Sequence, residues 1–423
     1  MSAKNAGVSI KSPGLLACKI RPMQATSQAL DHLLCAVGDP VADLSAIGPD
    51  HPEFGRAQII RAGAGVLAKS ANALPAIAEV LRTAPAAPKS TQTRVHFAAA
   101  EAWVSGNPVL AAERYASILA KWPHDLLALR LALSSYFFLG WHEQLQEVVD
   151  GTMLAWKRDR SGFQFVLAMA SFAHAESGDA AYAETLGRQA LANNPACPLG
   201  VHAVAHAIAA SGQHGKGAQW MRDQRAHWAT ASRMCTHNAW HLSMFDTEEG
   251  NVASALGILD AWLLPASSKS ALDACDATAL LWRLTNDGVD DAGRWSKLSD
   301  AFERILTPGF WPYVDLHAAL AHLTATKQER VQKLAQSIEQ CAKGDSYAAL
   351  RARHVTQPGL RALRAQAEGR YDEAAAAFAG LQPFLGCAGG SRVQLEVFQG
   401  IEREAVQLRS RHRQPQPSPA FQP

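Results

Sequence analysis

Charge is scarce in this chain. Asp, Glu, Lys and Arg together make up 18% of 423 residues and nearly cancel, leaving a formal +2. That balance gives no electrostatic footprint for nucleic acid, and no basic stripe interleaved with aromatics appears. Long apolar runs are also missing. None reaches the ~18–20 residues a membrane span needs, and the patch in "MSAKNAGVSIKSPGLLACKIRP" is too short for a secretory signal. The seven cysteines are odd in number, scattered and never spaced C-x-x-C, so reduced thiols in a cytoplasmic setting are expected. Phosphate-binding Walker loops, nucleophile elbows, dinucleotide fingerprints and H-E-x-x-H are all absent.

What is abundant is alanine inside a 48% apolar composition, a helix-rich and well-buried make-up. Glycine recurs in one context, an apolar segment before it and an Ala-rich segment after it: Gly106, Gly140, Gly178, Gly212, Gly250 and Gly288. The steps between them are 34, 38, 34, 38 and 38 residues. A 34-residue period is the length of a tetratricopeptide unit, two helices joined by a tight turn. Glycine suits that turn because a helix often ends on a left-handed residue. Pro123 and Pro195 follow Gly106 and Gly178 by 17 residues, where such a unit closes. Four additional residues in the longer units amount to about one helical turn. Further hairpins read through 314–340, with Lys327 at the turn, and around Gly369, while residues 24–90 are helical and less regular. The expected fold is all-α, a right-handed solenoid of seven or eight hairpins, strongly curved or closed. It spans residues 23–411, between a flexible segment 1–22 and a disordered Pro/Gln-rich tail 412–423.

The repeat also serves as a ruler. With each turn glycine at position 15, positions 2, 5, 9, 12 and 13 of the first helix face the concave groove. Two H-x-x-x-H pairs then stand out, "VHAVAHAIAASG" at 201–212 and "CTHNAWHLSMFDTEEG" at 235–250. His202 and His206 take positions 5 and 9. His237, Trp240 and His241 take positions 2, 5 and 6 of the next unit, on one helix side. His96, Arg130 and Thr278 take position 5 of their units, Trp282 takes position 9, and His317 takes position 5 if Lys327 is the turn. His202, His206, His237, His241 and His317 are therefore expected to converge in one cavity.

Three readings of that cluster stay open. It is a structural hydrogen-bond network, a site for a small molecule or peptide in the groove, or a metal site. Paired imidazoles one turn apart suit Zn²⁺ or another divalent ion at ~2.0–2.1 Å, and Asp246 or Asp315 could add a carboxylate. Crowded imidazoles depress one another's protonation, leaving neutral rings near pH 7. Met244 and Phe245 would add apolar lining. A weaker signal lies in "GCAGGSRVQLEVF", 386–398, where Gly389, Gly390 and Ser391 precede a helix with Arg392 behind. That N-terminus can hold an anion, or serve simply as a turn.

From about Arg94 to Val406 the chain resembles the tetratricopeptide repeat protein 38 family. The resemblance is carried by "DLLALRLALSSYFFLGWHEQLQEVV", "VHAVAHAIA", "THNAWHLSMF", "GNVASALGILDAWLLP", "DLHAAL" and "GGSRVQLEVF". It implies a soluble α-helical repeat protein, and attaches no reaction. It makes His202, His206, His237, Asn238, Trp240, His241, Asp315, His317, Gly389, Gly390 and Ser391 family-motif positions. The chain departs from that pattern at Leu133 and Ser134, where a His-Asp pair is usual, and at Leu395 and Glu396, where an Arg-Asp pair is usual. An interaction scaffold would need an open groove lined by Lys, Arg and Asn, whereas a pocket would bury the histidines.

Overall fold

The computed structural model describes residues 22–85, 90–229, 233–289 and 291–413. The expected terminal segments 1–22 and 412–423 lie essentially outside them. Among the described residues every regular element is helical, and none of the helices is long and apolar enough to cross a membrane.

Local chemistry starts and stops these helices where the glycine period places them. Asn107, Asp125, Asp179 and Asp291 each offer a side-chain oxygen to the first-turn amides behind them, satisfying donors that have no partner inside the helix. The six turn glycines all have φ between 69° and 95°, which spares them the Cβ clash of a left-handed residue. Where no glycine is present, Thr326 adopts the left-handed conformation (φ 55°). It does so in place of Lys327, so the ruler for that unit shifts by one and His317 falls at position 6. Within the less regular stretch 24–90, the described residues form one more hairpin, Phe54–Leu67 with Leu74–Arg82.

The four additional residues of the longer units do not simply lengthen helices. They fall in the connection 154–162, in the connection containing Arg225–Trp228, and in a wider-wound segment Leu259–Leu263. That segment stands just before Pro265, and a second one, Ala352–Thr356, just before Pro358. Proline lacks the amide that would continue the ladder, and local widening of the helix absorbs the misfit.

Small residues set the spacing between layers. A Cβ on Gly187 would come within 2.6 Å of Val204 and 2.7 Å of Ser171, so adjacent helices pack there nearly backbone to side chain. The solenoid curls far enough for its early and late units to touch. Gly390 N donates to Phe137 O at 3.3 Å. The buried Arg351 guanidinium donates to Phe138 O at 3.0 Å, to Cys387 O at 3.0 Å and to Ala388 O at 2.9 Å. The C-terminal helix Arg392–Arg413 lies along the later units' inner face, with Gly400 against Trp282 and Phe398 against His317 at 4.8 Å between ring centres.

Candidate functional site

Two helices bring the paired histidines together. Pro198–Ala210 carries His202 and His206 one turn apart, and Cys235–Glu248 carries His237 and His241 in the same way. Ring centres of His202 lie 4.5 Å from His206, 4.9 Å from His237 and 5.0 Å from His241. One nitrogen from each of the four rings lies within 4.8 Å of all the others. His206 and His241 are 2% and 1% exposed, which leaves only His202 and His237 within reach of a cavity.

Carboxylates the sequence reading did not single out hold two of these rings. Asp276 Oδ2 lies 2.6 Å from His237 Nδ1. Glu176 Oε1 lies 3.0 Å from His206 Nδ1, off the ideal hydrogen-bond line. Glu176 sits at position 13 of the Gly178 unit, a groove-facing position on the same ruler, so that signal was available. Asp276 falls at position 3 and carried none. Burial alone would raise the Glu176 carboxyl. The His206 hydrogen bond and charge, His142 and the Arg392 amide together outweigh it and hold the group below the usual range.

Both carboxylates are braced from the far end of the chain. Arg392 N donates to Glu176 Oε2 at 2.8 Å, and Gln394 Nε2 donates to Asp276 Oδ1 at 3.3 Å. Ser391 and Gln394 cap each other reciprocally, Gln394 N to Ser391 Oγ at 3.2 Å and Ser391 N to Gln394 Oε1 at 3.1 Å. The helix beginning at Arg392 therefore does receive an anion, and it is the protein's own Glu176. Gly389 and Gly390 are turn residues pressed on Phe138 O and Tyr313 and offer no external anion a place.

Proton counting defines the chemistry of the centre. An ionised Asp276 requires a proton on His237 Nδ1, and Glu176 requires one on His206 Nδ1, which in neutral rings leaves both Nε2 atoms bare. His202 Nε2 lies 3.0 Å from His206 Nε2 and 3.1 Å from His237 Nε2. A ring nitrogen has one hydrogen-bonding capacity, as donor or acceptor, so both contacts cannot be hydrogen bonds. His241 Nε2 is buried beside them without any partner. Burial, then the neighbouring rings, push both His202 and His241 well below the ordinary imidazole range; Arg130 adds to this at His202. Ring nitrogens of all four side chains thus converge on one point.

The cavity beside this centre has a volume of about 630 Å³. Its walls include Leu133, Phe137, Phe172 and Leu199, with Arg130, Lys69 and Arg233 on one side and Asp273 and Asp276 on another. Burial and the nearby Arg130 lower the Lys69 ammonium to about 7. Burial, with the Arg233 charge, lowers Arg130 to about 10. Asp273 is raised to about 6 by burial and then by Asp276.

Of the remaining expected residues, Trp240 stacks on His237 at 5.2 Å, and Asn238 Nδ2 reaches Pro198 O at 3.5 Å. Both support the cluster from behind. The others stand apart. His96 pairs with Asp125 at 2.8 Å beside Tyr115. Thr278 Oγ1 donates to Ala274 O, and Trp282 lies under Gly400. His317 Nδ1 meets Tyr313 O at 2.7 Å, and the ring does not join the other four. Asp315 accepts from Gly309 N at 3.2 Å and Asp246 pairs with Arg222, so neither carboxylate is at the histidines. Phe245 instead fills the space beside Gly217, and neither it nor Met244 lines the cavity. The C-terminal helix covers the inner face at Trp282 and His317, and His317 is also off the ruler by one position because Thr326 forms the turn. Leu133 and Ser134 line the cavity, and Glu396 pairs with Arg283 at 3.4 Å.

No protein-family model matches the chain. Among solved structures it is similar to the Cut9–Hcn1 hetero-tetramer of the APC/C, at 14% identity and TM-score 0.42 over 92% of this chain and 67% of that one. It is also similar to a Rap protein complexed with Competence and Sporulation Factor, at 12% identity and TM-score 0.42 over 92% and 96%. An IFIT1 monomeric mutant with Gppp-AAAA follows at 13% identity and TM-score 0.36 over 92% and 93%. At this level of similarity none of them bears on what this chain binds.

Proposed function

We propose that this is a metal-binding helical-repeat protein of the tetratricopeptide repeat protein 38 family. His202, His206, His237 and His241 hold a Zn²⁺-type cation at the floor of a small-molecule pocket. The observation that carries the reading is the pair of Nε2···Nε2 contacts at 3.0 and 3.1 Å on one His202 nitrogen, which protons alone cannot satisfy together. In a tetrahedral zinc site with bonds of ~2.0–2.1 Å the nitrogens stand ~3.3–3.4 Å apart, so the two short contacts on His202 would open slightly and the wider separations, within 4.8 Å, would close as the rings gather on the ion. Imidazole nitrogens are its preferred partners. Asp276 and Glu176 match the carboxylate–histidine–metal arrangement that fixes the tautomer and raises ligand basicity.

The pocket is open at His202 and His237, and this is the side from which a bound molecule meets the centre. A cation held by all four rings would have its coordination filled, and the bound molecule would therefore meet the exposed edges of His202 and His237 rather than the ion; no reaction is assigned. The alternative use of such an array, a groove for a peptide, loses its surface here because the C-terminal helix lies along the inner face of the later units.

The test is metal analysis of protein purified without a polyhistidine tag, by native mass spectrometry and elemental quantification. About one divalent transition-metal ion per chain is expected, and the double variant H206A/H241A should carry none. Parent protein that stays metal-free after equilibration with Zn²⁺ while fully folded would make the four rings a structural network and end the reading.

A further inference from the structure

We propose that the cavity is built for an amphiphilic organic carboxylate, its anionic group held by Arg130 and Lys69 and its apolar body lying against Leu133, Phe137, Phe172 and Leu199. The proposal deepens the pocket reading above by naming the class of molecule, and it does not require the metal.

Cations usually enter a protein interior with a partner, because an unpaired buried charge is costly. Here two half-buried ones stand together without one. Arg130 projects into the cavity from the helix Leu126–Leu139. Its Nε is buried and makes no hydrogen bond, and among the described residues no carboxylate forms an ion pair with it. Lys69 follows the helix Phe54–Leu67 in a left-handed backbone conformation (φ 46°) that carries its side chain to the same cavity. Its ammonium finds only the Leu67 carbonyl at 3.4 Å and the Phe137 ring at 5.5 Å.

The Cys197 thiol in the same lining acts on Arg130 electrostatically without forming an ion pair, and the other charges facing this space do not neutralise the pair. Arg233 spends its guanidinium on the carbonyls of Gly38 and His32 at 3.1 and 3.2 Å and adds positive charge. Asp276 is committed to His237 and Gln394, and Lys269 faces the same cavity as Asp273. An arginine fork and an ammonium side by side match a carboxylate. The neighbouring wall is aromatic and aliphatic, the usual lining for the body of a small ligand. A bare inorganic anion would leave that wall wet, and a neutral chain would leave the cations unpaired.

Isothermal titration calorimetry on the full chain tests this with decanoate, decan-1-ol and acetate as probes. Decanoate should bind one per chain, with both controls at least tenfold weaker. R130Q and, separately, K69Q should each weaken decanoate by roughly thirtyfold or more while leaving the far-ultraviolet circular dichroism unchanged. Equal binding of decan-1-ol, equal binding of acetate, or undiminished decanoate binding by both variants overturns the proposal. Repeating the titration with chelator and with H206A/H241A separates the two readings. Arg130-dependent binding that survives both keeps the carboxylate site even if no metal binds.

Discussion

Replacing Glu176 by Gln should leave the protein folded and damage its affinity for metal. Glu176 accepts from two donors, the Arg392 amide at 2.8 Å and His206 Nδ1 at 3.0 Å. Glutamine has one oxygen and one amide nitrogen for these two places. If its oxygen keeps the Arg392 amide, its NH₂ faces His206 Nδ1, and two donors collide. The least costly escape is for His206 to change tautomer, so that Nδ1 accepts and the proton moves to Nε2, 3.0 Å from His202 Nε2. That arrangement gives His202 Nε2 a donor in the metal-free centre, leaves the His237 contact unmet, and removes a ligand lone pair from His206. Changes of this outer kind cost about 10–100-fold in metal affinity, or ~1.4–2.8 kcal/mol. Competition for Zn²⁺ against a chromophoric chelator reads the affinity, and ¹⁵N shifts of histidine-labelled protein read which ring nitrogen carries the proton. Unchanged Zn²⁺ affinity together with a His206 that keeps its Nδ1 proton would refute the reasoning.

Gly140→Ala and Gly212→Ala should differ sharply although both glycines end a helix with similar φ, 75° and 69°. Gly212 has nothing within 4 Å of an added Cβ, so only the backbone penalty of ~1–2 kcal/mol applies. At Gly140 the methyl would overlap the Gly386 carbonyl and force apart the early and late units, and a loss more than twice as large is expected in urea denaturation; equal losses would mean the closure contributes nothing. Acid should also weaken the fold through His317 and His322, both lowered from 6.5 to about 4, chiefly by burial. Because the unfolded chain binds these protons and the folded one does not, stability is full above about pH 6.5 and is lost as pH falls toward 4. At pH 5 the two groups should each contribute roughly 2 kcal/mol of destabilisation, and urea midpoints equal at pH 7 and pH 5 would contradict this.

The fold was legible because it is periodic. Six glycines at 34 and 38 residue steps reported six left-handed turns, and the ruler drawn from them put His202, His206, His237 and His241 on facing surfaces. Local misreadings came where the period is carried by another residue, as at Thr326 in place of Lys327. The site was legible only up to what neighbouring units determine. Glu176 obeyed the ruler and was passed over among the histidines. The bracing of Glu176 and Asp276 by Arg392 and Gln394 joins residues 216 and 118 positions apart. It depends on how far the superhelix curls, which is a sum of small rotations that no single unit encodes. The C-terminal helix that meets Trp282 and His317 is likewise placed by that curl.

A chain made from its N-terminus forward meets a particular order of events here. The four histidines are made well before Arg392 and Gln394, and their helices can fold at once, since each hairpin leans mainly on the one before it. Yet the two carboxylates that orient those rings receive their last hydrogen bonds from Arg392 and Gln394, and the early units wait for Gly386–Gly390 to close against Phe137 and Phe138. A nascent or prematurely ended chain would thus own all four imidazoles and hold them loosely. Order at the centre would arrive in one late step, once the segment from Gly386 to Gln394 has been made and has docked.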